Sequence, residues 1–214
     1  MTRGGAWLPA LLLAACAGGA QPARHEDLVS GRWHWVASLD GAAATAAPDP
    51  AAYWAEFAAA GAVVVGADCN SGVGRVAPGT LQVGPIALTR RACGPQSRDA
   101  RFAALLSSVR AGALDGDLLR LAAAGTELVM LRDAEARLAA VRCDDGTEHA
   151  IIFARAAAHL REGAGFRALA RRDDATAAVY GDARTTVVAR GTEVTLAAGA
   201  ARRTCRRLAA AEAS

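Results

Sequence analysis

The stretch "GADCNSGVGRV" at residues 66–76 decides how the first half of this chain is interpreted. An apolar run, "AVVVGA" (62–67), leads into Cys69, and closely spaced glycines follow. This order suits three structures: a nucleophilic cysteine, a phosphate-binding loop, or one half of a disulfide at a turn. The remainder of the sequence discriminates among them.

The N-terminus predicts export. Arg3 precedes the apolar run "AWLPALLLAA" (6–15), which is too short to cross a bilayer as a mature helix, so residues 1–15 fit a cleavable signal peptide. "LAAC" (13–16) resembles the lipobox of bacterial lipoproteins, in which the cysteine is acylated; the alternative is an ordinary signal peptide cut nearby. The lipobox implies that Cys16 carries a membrane-inserted lipid. Ala17 after it favours the outer membrane, and we expect the folded part to face the periplasm.

The remaining cysteines predict disulfides. An exported chain folds in an oxidising compartment, and the even remainder of Cys69, Cys93, Cys143 and Cys205 indicates two bridges. Four cysteines allow three connectivities, of which local pairing (69 with 93, 143 with 205) is the simplest. Loops of that size would each contribute roughly 3–4 kcal/mol of stability in the chain-entropy model.

Two catalytic or ligand-binding interpretations of the opening stretch fail on its context. Residues 72–77 match G-x-G-x-x-G/A, but Pro78-Gly79 and an alternating segment follow where the nucleotide-binding pattern needs a helix, and the chain has no lysine for a P-loop. A nucleophilic Cys69 needs a reduced thiol and a base. We therefore interpret Cys69 as a disulfide partner of Cys93, with the glycines allowing a tight turn, and we expect no enzyme.

Composition argues against nucleic-acid and metal-binding functions. The chain has 24 basic and 21 acidic residues, an imbalance too small to indicate a nucleic-acid partner. Its four histidines show no zinc-ligand spacing, and we expect neither a metal nor another cofactor.

The first half predicts an α+β unit behind a short tether. Residues 16–29 are small and polar and would reach on the order of 20 Å. The clearest helix follows Pro95, with Ser97 as its cap and apolar residues at i, i+3, i+4 and i+7 from Phe102. Segments predicted as strands are 31–40, 62–67, 80–89 and a hairpin over 117–123 and 127–132, whereas 51–61 is ambiguous between helix and strand.

Beyond residue 136 the pattern changes to short segments divided by Gly and Asp. Their regular spacing between residues 140 and 199 predicts a small antiparallel barrel or sandwich whose ends a Cys143–Cys205 bridge would tie together. The predicted fold class is therefore mainly β, α+β in the first unit and a small antiparallel barrel in the second.

The first unit resembles the META domain of HslJ-like lipoproteins. The resemblance rests on "GRWHWVASL", "GADCNSGVGRV", "GTLQVGPIALTRRACG" (79–94), "RFAALLSSVR" and "GDLLRLAAAGTELVML" (116–131), in that order and spacing. It assigns residues 30–133 to this domain and implies a strand at Tyr53–Phe57. The family is associated with the bacterial envelope, heat stress and drug tolerance, without an established chemistry.

The second unit, residues 138–208, resembles the membrane-bound inhibitors of c-type lysozyme (the MliC family), a small β-barrel with a disulfide. "VRCDDG" (141–146) matches the family's opening, "RGTEVTL" (190–196) its Lys-Gly-x-Glu-Ala-x-Leu segment, and Cys205 closes the unit. The family places a serine loop and a lysine in the lysozyme cleft, against its two catalytic carboxylates.

The resemblance implies three lysozyme-binding residues. Arg190 stands in place of the lysine, Thr176 in place of the second loop serine and Asp174 in place of the first; Tyr180 is expected to be packing beside them. The expected function is thus inhibition of c-type lysozyme. An excess of 13 arginines over 9 acids after residue 136 opposes long-range attraction to a basic lysozyme. The alternative is an HslJ-like structural or interaction lipoprotein of the stressed envelope.

Overall fold

The computed structural model describes residues 20–29, 31–172 and 176–209, which form two β-rich units. The first is an antiparallel sheet with a helix on one face, and the second is a closed barrel of eight strands. The predicted fold class is confirmed.

The first unit is built on a ten-stranded sheet, in which every strand pair is antiparallel. Its elements are β1 (Gln21–Pro22), α1 (His25–Leu28), β2 (Arg32–Asp40), β3 (Ala43–Ala46), β4 (Tyr53–Phe57), β5 (Ala62–Ala67), β6 (Asn70–Arg75), β7 (Ala87–Leu88), α2 (Asp99–Ser107), β8 (Val109–Asp115), β9 (Leu118–Ala123) and β10 (Thr126–Leu131). The order across the sheet is β1-β8-β9-β10-β2-β4-β5-β6-β7, and β3 pairs with β2.

The strand and helix predictions hold in part. The ambiguous segment is the strand β4, whose alternate side chains enter the core, and the hairpin is β9–β10. The strand predicted over 80–89 is wrong for most of its length, since only Ala87–Leu88 remain. Pro85 lacks an N–H for a ladder, and the Ile86 N–H donates to Ser107 Oγ at 3.1 Å instead. In the predicted tether, β1 pairs with β8 and Leu28 is fully buried.

The opening stretch forms the β5–β6 hairpin. Its two-residue turn is Asp68-Cys69, with Asp68 at φ 58°, so the glycines were wrongly assigned to the turn. They lie in β6, where a Cβ on Gly72 would come within 2.6 Å of Ala87 O. Glycine is therefore required for the close approach of β7. Cys69 is bonded to Cys93, the local pairing.

Asn70 connects this hairpin to the helix. The residue is 4% exposed, and its side-chain amide donates to Asp99 Oδ2 at 2.7 Å and to Arg91 O at 3.1 Å. Its Oδ1 accepts from Thr89 Oγ1 and from the Arg91 N–H, both at 2.8 Å. One buried amide thus holds the 89–93 segment and the first residue of α2, and the disulfide closes the same loop.

The second unit closes on itself. Its strands are β11 (Arg137–Cys143), β12 (Glu148–Phe153), β13 (Ala157–Glu162), β14 (Gly165–Arg172), β15 (Ala178–Gly181), β16 (Thr185–Arg190), β17 (Glu193–Ala198) and β18 (Ala201–Arg207). Each pairs with the next, and β18 pairs with β11. On that seam Cys143 lies directly opposite Cys205, and the two form a disulfide, so the bridge joins the first and last strands of the barrel.

The two units share a hydrophobic cluster. Strand residues alternate between the barrel interior, such as Ile151, and the outer wall, such as Ile152 and Phe166. The outer residues of β11, β12 and β14 pack against the face of the first sheet that α2 does not cover, including Val129 and Leu131. One wall of the barrel is therefore apolar on both faces because the first unit covers it.

Polar contacts border this shared cluster. Arg120 pairs with Glu127 and also donates to Ala164 O at 2.6 Å, across the two units. Arg161 donates to Ala42 O at 2.7 Å, and the Arg155 N–H donates to Asp133 Oδ2 at 2.5 Å. The interface is thus closed by hydrogen bonds around an apolar centre, which fixes the orientation of the barrel.

Candidate functional site

The described residues contain neither a candidate metal centre nor a membrane-spanning helix. No group of three His, Cys, Asp or Glu residues within them is arranged to hold a metal ion. Among the helices of the same ranges, none has the length and apolar character needed to cross a bilayer.

The site residues expected from the sequence divide into two groups. Cys16 and Asp174 lie outside the described residues. Thr176 and Arg190 are both exposed, at the same end of the barrel. The β15–β16 register places Ala178 opposite Ala189, so the chain leading into β15 and the end of β16 are neighbours there. The fold thus brings together two residues that are distant in sequence.

We call this end of the barrel the basic rim. Among the described residues it comprises the β12–β13 turn, residues 176–177 before β15, and the β16–β17 turn, and it carries Arg155, Arg171, Arg190 and Arg207 as well as Glu193. The Arg171 N–H donates to Ala156 O at 2.8 Å, and the Arg207 N–H donates to Thr192 O at 2.9 Å. Both arginines are therefore fixed to the rim through their backbones.

Two of these arginines lie over aromatic rings in the barrel mouth. Arg171 is directly opposite Tyr180 across β14 and β15, with its guanidinium 5.9 Å from the ring centroid. The Arg207 guanidinium is 4.8 Å from the Phe153 centroid. The two rings are themselves in contact, with centroids 5.7 Å apart, and the buried Tyr180 donates its hydroxyl to Ala154 O at 3.3 Å. The expectation that Tyr180 packs agrees with this burial.

Three arginines of the basic rim have no carboxylate partner among the described residues. In the part of the chain that the structure describes, none of Arg171, Arg190 and Arg207 forms an ion pair with a carboxylate. Unpaired guanidiniums keep their donors for an incoming anion. Positive charge is thus concentrated on the basic rim, which also carries Glu193 opposite Arg190 and the Arg155–Glu135 ion pair.

The opposite end of the barrel differs in charge. There Arg203 pairs with Asp145, and Arg167 pairs with Asp182 at 3.3 Å. The hydroxyl and N–H of Thr147 lower the pKa of Asp145 to about 2, with a further contribution from Arg203. The N–H groups of Arg184 and Thr185 lower the pKa of Asp182, with Arg167 assisting. Among the described residues, Arg167 and Arg203 are therefore paired with acids at this end, whereas Arg171, Arg190 and Arg207 form no such pair at the other.

Fold and site together define a two-unit, disulfide-bonded β protein with an exposed basic rim. Residues 26–135 match the META domain family, and the chain belongs to that family. This membership suggests an HslJ-like envelope protein, and the family is not known as enzymatic. No curated protein and no solved structure shows significant similarity to the chain.

Arg171 and Arg207 are not among the residues that the sequence indicated for this end of the barrel. The signal was present in "FRALARR" and "RRTCRR", where strand alternation places Arg171 on the same face as Leu169, and Arg207 on the same face as Cys205. Only the closed barrel shows that these faces are interior and that both strands end at the same mouth.

Proposed function

We propose that this protein is a non-enzymatic lipoprotein of the bacterial envelope that inhibits c-type lysozyme through the basic rim of its barrel. The proposal is supported by the MliC-like sequence features and by the closed eight-stranded barrel. The observation that carries it is the position of Thr176 and Arg190, exposed on neighbouring strands at one end of the barrel.

The chemistry of lysozyme explains why such a rim would inhibit. The enzyme needs one carboxyl protonated and a second ionised in the same cleft. The Arg190 guanidinium can donate two hydrogen bonds to a carboxylate in a bidentate contact, and the Thr176 hydroxyl can hydrogen-bond beside it. Together they would exclude the sugar substrate. Arginine is larger than the lysine of the inhibitor family, so the contact geometry differs from that of the family.

The proposal includes a location. Acylation of Cys16 would hold the protein at the outer membrane, on the periplasmic side, where lysozyme reaches peptidoglycan. Residues 21–22 pair with β8 and Leu28 is buried, so the part of the chain free to act as a tether is shorter than residues 16–29. The folded units would then remain close to the membrane surface.

Membership of the META family favours a second candidate function. HslJ-like proteins are associated with envelope stress, and here the META unit accounts for residues 26–135. In this alternative the chain is a structural or interaction lipoprotein, and the barrel covers one face of the META sheet without binding lysozyme.

A lysis assay with matched variants distinguishes the two functions. The protein is the chain from residue 17 onward, which keeps every described residue, and the readout is clearing of a cell-wall suspension by a c-type lysozyme, with a g-type lysozyme as the specificity control. Arg190→Ala should abolish most of the inhibition. Arg184→Ala is the matched control, because Arg184 is an exposed arginine in the turn at the opposite end of the barrel. Undiminished lysis at tens of micromolar of folded wild type would reject inhibition of the lysozyme tested.

A further inference from the structure

We infer that the groove between β7 and α2 is a docking site for an extended acidic peptide, which adds one strand to the open edge of the first sheet. The α2–β7 groove has a volume of about 820 Å³. Residues 86–91 line one side of it, and Ala100, Ala103, Ala104 and Ser107 of α2 line the other. The inference concerns the first unit alone and is independent of lysozyme inhibition.

The backbone of residues 86–91 alternates between a bonded side and an open side. Thr89 and Arg91 each donate their N–H to an oxygen of β6 at 2.8 Å, so the odd-numbered residues face β6. In an antiparallel ladder the even-numbered residues then direct their backbone groups away from β6. The Ile86 N–H has this direction, because it donates to Ser107 Oγ on α2 at 3.1 Å. The open side of this segment therefore faces the groove.

Two residues on the open side have backbone groups without partners. β7 is the last strand in the order of the sheet, and no other described strand pairs with its outer edge. Among the described residues, no hydrogen bond is made by the N–H or C=O of Leu88 or by the N–H of Arg90. One residue of an added strand can exchange two hydrogen bonds with Leu88, and a residue two positions away can accept from Arg90.

The groove has room for the side chains of such a strand. Three alanines of α2 line its helix side, and a strand presents a side chain to each face at every second residue. On the strand side, Ile86 and Leu88 are partly buried hydrophobic residues that pack against the core. Because both sides are apolar, a ligand with apolar side chains at alternate positions is favoured.

The charge of the groove favours an acidic ligand. Arg90 and Arg91 line it and Arg101 lies on the first turn of α2; all are exposed, and among the described residues none forms an ion pair. Asp99 also lines the groove, but its carboxylate already accepts from the Asn70 amide at 2.7 Å. Carboxylates of a bound strand would therefore meet unpaired guanidiniums. A second copy of the same edge is disfavoured, because it would bring arginines against arginines.

Exchange of backbone amides with water, measured by NMR, tests the site residue by residue. The protein is the chain from residue 17 onward, and the probe is a hexapeptide of alternating valine and glutamate with blocked ends. At roughly 90% saturation the Leu88 and Arg90 amides should exchange about tenfold more slowly, because only the free fraction remains open. The amides of Ala87 and Thr89 face β6 and should change little.

Variants of the chain separate backbone recognition from charge. Leu88→Pro removes an N–H that points away from β6, so it should weaken peptide binding about fivefold, whereas Leu88→Val keeps the N–H and should retain binding. Arg90→Gln and Arg91→Gln should each weaken binding about two- to fivefold, as expected for exposed ion pairs. Arg202→Gln is the matched control, because Arg202 is an exposed arginine of the barrel without an ion pair among the described residues.

An N-methylated form of the same peptide keeps the test if Leu88→Pro does not fold. It retains the valine and glutamate side chains but has no N–H donors, so it should not slow exchange at Leu88 or Arg90. Equal binding of the two peptides would overturn strand addition, and so would the absence of binding at millimolar peptide. Slowed exchange with phosphatidylglycerol vesicles but not with the peptide would overturn the assignment of a peptide ligand. None of these results depends on lysozyme, so this inference and the proposed function fail separately.

Discussion

Replacement of Asn70 by alanine tests whether the opening stretch is structural. Its buried amide makes four hydrogen bonds of 2.7–3.1 Å, to Thr89, Arg91 and Asp99, and a longer one to Cys93 Sγ at 3.2 Å. Each bond contributes about 1 kcal/mol net to the free energy of unfolding. Because Arg91 is exposed and can bond to water instead, we expect Asn70→Ala to lower the free energy of unfolding by about 2–4 kcal/mol.

Urea unfolding at 25 °C with the disulfides intact measures this loss as a change in midpoint at constant slope. The matched control is Ser71→Ala, the next residue, because Ser71 is exposed and contributes its backbone N–H to Thr89 Oγ1. We expect Ser71→Ala to change the unfolding free energy by less than about 0.5 kcal/mol. A loss below about 1 kcal/mol for Asn70→Ala, or an equal loss for both variants, would refute the structural role.

Asn70→Asp adds a pH dependence to the same test. The new carboxylate would face Asp99 at the position of the present 2.7 Å hydrogen bond. Repulsion and burial raise the pKa of the introduced carboxyl in the folded state, so the folded state binds a proton more readily than the unfolded chain. The destabilisation should therefore be largest at neutral pH and should decrease as the pH falls. No recovery of stability between pH 7 and pH 4 would contradict this account of the site.

Two further predictions concern the interface between the units. Ile152 is fully buried on the outer wall of the barrel, so Ile152→Ala should cost about 2–5 kcal/mol in urea unfolding; a loss under about 0.5 kcal/mol would mean that the units do not dock. The pKa of Asp117 is lowered from 3.8 by its contact with His159, whose Nε2 is 3.4 Å away. The associated stability is present above the unfolded pKa and is lost as the pH falls through the lower folded pKa. By NMR, the Asp117 carboxyl should titrate below 3.8. The wild type should lose under about 1 kcal/mol of unfolding free energy below pH 4, because the side chain is half exposed, and Asp117→Asn should not show this loss. An ordinary pKa for Asp117 would contradict the contact with His159.

Much of the fold was predictable because it depends on local chemistry. Alternating apolar residues indicated β2 and the barrel strands, and the apolar spacing after Phe102 indicated the helix. The resemblance to the META domain identified the strand at Tyr53–Phe57 against its alanine-rich neighbours. Pro85 also argued against a continuous strand over 80–89, because proline has no N–H to donate to a strand ladder.

The candidate site was predictable only in part. A resemblance identified Thr176 and Arg190, and the register of β15 and β16 places them at the same end of the barrel. Arg171 and Arg207 are 36 residues apart in the chain and lie at the same end of the barrel because β14 and β18 both end there. No local pattern encodes that placement, since closure of the barrel is a long-range property.

The sequence by itself determined the disulfide count, the period of the strands and the position of the main helix. The reason is that cysteine number, side-chain alternation and helical spacing are properties of adjacent residues. Only the tertiary structure decided that Gly72 admits β7, that Ile152 faces a second unit and that Arg171 and Arg207 lie over the Tyr180 and Phe153 rings. Each of these depends on which distant surface is packed against a strand, and alternation specifies the two faces of a strand without specifying what covers them.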